Sequence, residues 1–369
     1  MKTYNFLVPT VVIHGQNCIK EHGSYFKAFG KKALIVTGRS SAHKCGALGD
    51  VTAALKVNGQ EYTVYSQITP NPAVDCIFDG ALPARKEKFD MVIAIGGGSP
   101  LDAAKAIAML AVNATVTKEN LFSTPFNTAL PVIAIPTTAG TGSEVTQYAI
   151  ITNDEAGTKT SLASPLLFPR IAFLDARYTE QLGMSTTRNT AIDALSHAVE
   201  GMLSCRSSVF TDVLSKESLR MIASCGKVLK EGNLKTTDRD TLLLASTMAG
   251  MVIANTGTTA VHALGYSLTY YKGVDHGRAN GFLLSHFLMV VNRRCPERIA
   301  EILSCFGYQE IRQLTDFLDS LFNRHERLTK QECEYFASKA MESKNHIDNC
   351  IIKPSEKDLI EVLVQAMMQ

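Results

Sequence analysis

Four short runs of apolar and β-branched residues punctuate the first half of the chain: 33–37 (ALIVT), 62–65 (YTVY), 91–95 (MVIAI) and 132–135 (VIAI). Helix-like patterns separate several of them. A strand that shows one face to water alternates polar and apolar positions. Continuously apolar strands joined by helices predict a parallel sheet covered on both faces. From about Thr186 the texture changes. The stretches 191–203, 211–229, 239–254, 281–292 and the sequence beyond Pro296 carry helical periodicity, and strand signals nearly vanish. The pattern predicts an α/β domain over residues 1–182, followed by an all-α domain over 183–369, with the boundary between 178 and 186. There is no low-complexity tract and no repeat of fixed period.

The 369 residues carry a formal net charge of +2 and 46% hydrophobic residues, enough for two cores. So small a charge gives no reason to expect nucleic acid as a partner. No apolar run reaches the length of a membrane span. The opening MKTYNFLVPTVVIHG, interrupted by Pro9, lacks the parts of a signal peptide. The nine cysteines, at 18, 45, 76, 205, 225, 295, 305, 333 and 350, include no CxxC pair. They are expected to be reduced thiols in a cytoplasmic protein, and no thiolate zinc site is expected.

The run VIAIGGGSPLDAAKAIA spans residues 92–108. The apolar residues make a buried strand, and Ser99, Pro100 and Asp102 make a helix start, with Ser99 as N-cap and Pro100 at the first helical position. Gly96, Gly97 and Gly98 fill the turn. Without Cβ atoms they can take unusual dihedrals and lie flush against a ligand. The helix N-terminus offers free N–H groups to a phosphate. The run is neither the GxGxxG fingerprint, because Leu101 stands where glycine is needed, nor a Walker loop, because no GK[ST] follows. A tight turn with no ligand remains the bland alternative. A second loop, PTTAGTGSEVT at 136–146, also follows an apolar strand. Two glycine- and hydroxyl-rich loops at strand ends would flank one crevice, where open α/β sheets bind nucleotides.

The helical half holds a second kind of chemistry. In AIDALSHAVEG, Asp193 and His197 lie four residues apart and leave one helix face. VHALGYSLTYYKGVDHGRANG adds His262 and His276. One carboxylate and three imidazoles suit Fe2+ and Zn2+ alike. Spacing alone equally allows a hydrogen-bonded Asp/His pair and a histidine cap. The other histidines, at 14, 22, 43, 286, 325 and 346, show no comparable grouping.

GGGSPLDAAKAIA, IPTTAGTGSEVT, DALSHAVEG and HALGYSL…DHGRANG, in this order and at this spacing, resemble the iron-containing alcohol dehydrogenase family, from about residue 5 to about residue 290. The resemblance implies an α/β N-terminal nucleotide-binding domain and an all-α C-terminal metal-binding domain, an architecture shared with dehydroquinate synthases, with the site in the cleft between them. It implies metal ligands at Asp193, His197, His262 and His276. It implies a pyrophosphate loop at Gly96, Gly97, Gly98 and Ser99, with Asp102 beside the cofactor. The adenine- and ribose-side loop falls on Thr137, Thr138, Thr141 and Ser143, and Asn71 and Lys159 match further cofactor contacts. A dimer is the expected assembly.

Two positions depart from the family pattern. Members that use NAD often carry an aspartate at the end of the first strand, which would repel a 2′-phosphate. Here Gly38 stands there, followed by Arg39 and Ser40, so NADP(H) is expected over NAD(H). Many relatives have a histidine where this chain has Tyr266. A phenol is a poor proton shuttle near neutral pH, so Tyr266 is either a weak proton donor or, the favoured reading, a residue that lines the pocket. The expected activity is metal-dependent hydride transfer between NADP(H) and a small primary alcohol or diol and its aldehyde. The alternative is a dehydroquinate synthase-like lyase acting on a phosphorylated substrate.

Overall fold

The computed structural model describes residues 3–322 and 326–368; His325 lies outside the described residues. The chain forms two compact units. One is Val8–Leu182. The other starts at Gly183 and also takes in the beginning of the chain up to Leu7. The division after 182 follows the change in texture, but the first residues sit with the helices rather than with the sheet. The Leu7 N–H donates to Asn255 Oδ1 at 2.7 Å, and the rings of Tyr4 and Phe6 lie 6.0 and 5.5 Å from that of Phe210. Such distant contacts leave no local periodicity.

The strands of the α/β unit are β1 (Val11–His14), β2 (Lys32–Gly38), β3 (Glu61–Ile68), β4 (Met91–Gly96), β5 (Val132–Pro136), β6 (Tyr148–Asn153), β7 (Thr158–Ala163) and β8 (Ile171–Leu174). Six of them form a parallel sheet in the order β1-β8-β5-β4-β2-β3, and β6 and β7 pair antiparallel as a separate hairpin. The continuous apolarity is explained by the two buried faces. Leu34, Val36, Val92, Ala94, Val132 and Ala134 point into one core. Their sequence neighbours Ala33, Ile35, Met91, Ile93, Ile133 and Ile135 point into the other. Neither β1 and β8, at four residues each, nor the hairpin stood out in the sequence. From β2 the chain turns one way to β3 and then returns to lay β4 on the other side. The strand order therefore reverses between β2 and β4, the place where open α/β sheets leave a crevice at their C-terminal ends.

The helical unit includes Met184–Met202, Val209–Ser224, Gly226–Glu231, Thr236–Thr256, Ala260–Lys272, His276–Asn292 and shorter helices beyond Pro296. The expected helix at 211–229 is two helices, broken at Cys225. The expected helix at 281–292 starts five residues earlier, at His276. Among the described residues no helix is long and apolar enough to cross a membrane. The nine cysteines are free thiols.

Close approach of the helices depends on glycine. A Cβ on Gly201 would fall 2.1 Å from Val252 Cγ1, and one on Gly265 would fall 2.1 Å from Asn280 Oδ1. On Gly277 it would fall 1.9 Å from the Asn189 carbonyl oxygen. These three glycines lie on the three helices that carry the candidate metal ligands.

Candidate metal centre and nucleotide loops

In the α/β unit the three glycines have separate reasons. Gly96 ends β4 with φ +155°, and a Cβ there would lie 2.5 Å from Pro100 Cγ. A Cβ on Gly97 would meet Thr138 at 3.0 Å, and one on Gly98 would meet Thr141 Cγ2 at 2.7 Å. The bare sides of Gly97 and Gly98 thus face the loop after β5, so the missing side chains let two adjacent strand-end loops touch. The Thr137 N–H donates to the Gly96 carbonyl at 2.9 Å and binds the same loops together.

The helix start differs from expectation. The helix runs Gly98–Val112 with Gly97 as N-cap, and no side chain caps it. Ser99 lies inside the first turn rather than at the cap, and its side chain serves another task. The Ser99 hydroxyl accepts from the Asn71 N–H at 3.1 Å. Asn71 is left-handed (φ +51°), a conformation asparagine tolerates better than most residues. Its carbonyl accepts from the Thr152 hydroxyl of the hairpin. Lys159 faces Thr152 across that hairpin. Gly38 ends β2 with Pro100 Cγ 3.8 Å from its virtual Cβ, so it borders the switch point. Arg39 and Ser40 follow it, both exposed.

Asp102 does not reach back to cap its helix. One carboxylate oxygen accepts from the Ser143 hydroxyl at 2.5 Å and the other from the Ile150 N–H at 3.0 Å. Beside it lies Lys105, which no motif marks. Its ammonium is fully buried and donates to Ser143 Oγ (2.7 Å), Thr146 Oγ1 (3.2 Å) and the Tyr148 carbonyl (2.8 Å). Burial pushes Lys105 down to about 8, against the pull of Asp102 and Glu144. Burial raises Asp102 above the usual carboxylate range, with Lys105 and Ser143 opposing. The helix after β4, the loop after β5 and the hairpin are thus tied by one buried charge network. The DAAK spacing, which places Asp102 and Lys105 on one helix face, was the available signal.

In the helical unit, Met184–Met202 carries Asp193 and His197, Ala260–Lys272 carries His262 and Tyr266, and His276 opens the helix His276–Asn292. Asp193, His262 and His276 bring one ligand atom each into a common cluster. Asp193 Oδ1 lies 3.8 Å from His262 Nε2, 3.8 Å from His276 Nε2 and 3.9 Å from His197 Nε2. His197 stands outside the tightest three and stacks on His262, with ring centroids 4.8 Å apart. Four such atoms around an ion at ~2.1 Å stand about 3.4 Å apart in a tetrahedron. A contraction of a few tenths of an ångström would suffice.

A further group sits where a cation would sit. Asn280, four residues after His276, places its amide nitrogen 3.1 Å from Asp193 Oδ1, 3.2 Å from His262 Nε2 and 3.3 Å from His276 Nε2. An amide nitrogen has two hydrogens, and here a carboxylate oxygen and two ring nitrogens, each able to accept, converge on it. Three atoms able to ligate thus lie around one place, as a metal would require. Asn280 was legible as the i+4 partner of His276 on one helix face.

The other side of His262 is also built. The fully buried Glu200 accepts from the Thr259 N–H (2.8 Å), the Thr259 hydroxyl (2.7 Å) and the His262 N–H (3.3 Å), and its second oxygen meets His262 Nδ1. Burial raises Glu200, but His262 and the Thr259 donors outweigh it and hold the carboxyl below its ordinary range. Glu200 follows His197 by three residues in AIDALSHAVEG, on the helix face that carries Asp193 and His197. Tyr266 stacks on His276 (5.4 Å, 18°) and meets His346 edge-on (5.7 Å, 90°). Burial, then the neighbouring His262, pushes His346 down to about 4. His346, ungrouped in the sequence, therefore packs beside the candidate centre.

The two halves match one family. Residues 9–176 match the description "Iron-containing alcohol dehydrogenase", and residues 187–367 match "Fe-containing alcohol dehydrogenase family, C-terminal". The chain belongs to the iron-containing alcohol dehydrogenase family. Family membership brings with it alcohol and aldehyde oxidoreduction assisted by a metal. Its relatives include the probable alcohol dehydrogenase EutG of Escherichia coli, 36% identical over 299 residues, which are 80% of this chain and 75% of EutG. The 1,3-propanediol dehydrogenase of Citrobacter freundii is 33% identical over 318 residues, covering 83% and 80% of the two chains. A solved iron-containing alcohol dehydrogenase of Thermotoga maritima superposes with a TM-score of 0.92 at 36% identity, covering 99% of each chain.

Proposed function

We propose that the protein moves hydride between NADP(H) and a small primary alcohol or diol and its aldehyde, with Fe2+, or Zn2+ in its place, held by Asp193, His197, His262 and His276. The observation that carries this reading is the convergence of three potential ligand atoms, with His197 beside them, on the point now faced by the Asn280 amide. A divalent ion there supplies Lewis acidity, which eases loss of the hydroxyl proton in oxidation and polarises the carbonyl in reduction. NADP(H) supplies or accepts the hydride.

The remaining work belongs to the chain's own groups. Gly96, Gly97, Gly98 and Ser99 present backbone N–H groups at a helix start, which suits the pyrophosphate. Thr137, Thr138, Thr141 and Ser143 line the touching loop on the adenine and ribose side, and Asn71 and Lys159 lie on segments bonded to these loops. Asp102 and Lys105 hold those loops in register. Gly38, Arg39 and Ser40 leave the end of β2 without a carboxylate and with an exposed cation, which favours a 2′-phosphate and hence NADP(H). Tyr266, stacked on His276, lines the metal side. Family placement favours this activity over a dehydroquinate synthase-like lyase, and the protein is expected to act as a cytoplasmic homodimer.

The test follows NADPH and NADH oxidation separately with a panel of small aldehydes, on protein stripped by chelator and then reloaded with Fe2+ or Zn2+. Metal-dependent oxidation of NADPH at least ~10-fold more efficient than that of NADH is expected. Equal use of both overturns the cofactor preference alone. No turnover with either cofactor under any metal overturns the dehydrogenase reading.

A further inference from the structure

We propose that Glu200 is a positioning residue that selects the tautomer of His262, holding the proton on Nδ1 so that the Nε2 lone pair faces the metal pocket. This rests on the metal reading above. The geometry supports it from both ends of the ring. At one end, the two Glu200 oxygens are surrounded by donors: the Thr259 N–H, the Thr259 hydroxyl, the His262 N–H and His262 Nδ1. An ionised carboxylate only accepts hydrogen bonds, so Nδ1 must be the donor in that pair. At the other end, Nε2 lies 3.2 Å from the Asn280 amide nitrogen, a donor group, and an unprotonated Nε2 is the form that fits that neighbour. Glu200 selects the tautomer and Asn280 is compatible with it, and it is the one that can bind a metal through Nε2.

The carboxylate is itself held rigidly. Thr259 is the N-cap of the helix Ala260–Lys272 and His262 its third residue. Glu200, reaching over from the helix Met184–Met202, thus accepts N–H groups that the helix start leaves without partners. The hydrogen bonds that cap this helix also aim the oxygen that meets Nδ1. His262 is buried with 1% exposure, so water cannot substitute for Glu200.

The discriminating variant is Glu200→Gln. Its amide oxygen can keep the three bonds to Thr259 and the His262 backbone. Its NH2 group then faces Nδ1 and donates to it. The proton moves to Nε2, and the metal-facing lone pair is lost while the cap persists. An equivalent carboxylate-to-amide change beside a catalytic histidine traps the wrong tautomer in serine proteases. Two readouts are needed: Zn2+ affinity, by competition with a chromophoric chelator, and the ring 15N spectrum of His262 in metal-free protein, assigned by comparison with His262→Gln.

The expected result is Nδ1-protonated His262 in the wild type and Nε2-protonated His262 in Glu200→Gln, with Zn2+ affinity reduced ~10–100-fold. Thr259→Val, which loses one hydroxyl bond and keeps the carboxylate, should retain Zn2+ affinity within about threefold. Unchanged affinity and tautomer in Glu200→Gln overturn the proposal. If that variant does not fold, the wild-type spectrum decides, since Nε2-protonated His262 is incompatible with it. Failure of the wild type to bind Zn2+ overturns the metal reading, and the tautomer readout still judges Glu200 by itself.

Discussion

Gly277→Ala should cost the protein its metal more than its fold. Gly277 follows His276 at the start of the helix His276–Asn292, where that helix crosses Met184–Met202. A Cβ there would lie 1.9 Å from the Asn189 carbonyl oxygen, 2.8 Å from the Asn189 carbonyl carbon and 3.0 Å from Asp193 Cβ. The first two atoms are backbone, so no side chain can rotate away. Reaching even 3.0 Å from that oxygen requires an opening of 1.1 Å, and ordinary contact at 3.4 Å requires 1.5 Å. His276 Nε2 and Asp193 Oδ1, now 3.8 Å apart, would separate towards about 5 Å. Two donors with ~2.1 Å bonds to one ion can be no more than ~4.2 Å apart. One of them must therefore let go.

Overpacking of this kind costs about 1–3 kcal/mol, and the gain in helix propensity from glycine to alanine offsets ~1 kcal/mol. Thermal unfolding should therefore move down by only a few degrees. Metal affinity, read by chelator competition, should fall beyond the ~10–100-fold typical of losing an outer-sphere partner. Gly49→Ala is the control. That glycine lies inside the helix Ala47–Asn58, and nothing stands within 4 Å of its virtual Cβ. It should raise stability by ~0.5–1 kcal/mol and leave metal binding alone. A Gly277→Ala protein that binds metal within threefold of wild type and melts no lower would refute the reasoning.

Two further outcomes follow from the α/β unit. Gly98→Ala brings a methyl group to 2.7 Å from Thr141 Cγ2. It should destabilise the protein by ~1 kcal/mol, and Thr141→Ser, which removes that methyl and keeps the hydroxyl, should largely restore it in a double-mutant cycle; strictly additive effects would show that the loops do not touch there. Lys105, depressed to about 8 by burial, loses its proton in the folded state before the unfolded chain does. Its destabilising contribution is complete below pH 8 and is relieved as pH rises towards 10.5, by up to ~3 kcal/mol. Wild type should therefore gain stability relative to Lys105→Met between pH 7.5 and 10 in denaturant titrations, and parallel pH profiles would refute a buried charged lysine.

Much of the site was legible because its chemistry repeats on a helical or strand period. The strands 91–95 and 132–135 declared themselves because both sheet faces are buried, which leaves no polar position in them. Asp193 and His197 declared themselves because an i, i+4 pair must share a helix face. Glu200, Asn280 and Lys105 obeyed the same spacings, yet nothing local distinguishes a buried polar side chain from a solvated one. Their roles exist only because a second element arrives: Thr259 and His262 for Glu200, three ligand atoms for Asn280, and the hairpin and threonine loop for Lys105. Likewise the glycines of residues 96–98 announced a special turn, but only the fold showed that Gly97 and Gly98 are bare so that two loops can touch. The sequence by itself determined the local elements, the division into a sheet half and a helical half, and the residue types available for chemistry, because these follow from short-range periodicity. The tertiary structure decided which helix crosses which, where the strand order reverses, and which ligand atoms converge, because those depend on contacts between residues far apart along the chain, such as Asp193 with Asn280 and Leu7 with Asn255.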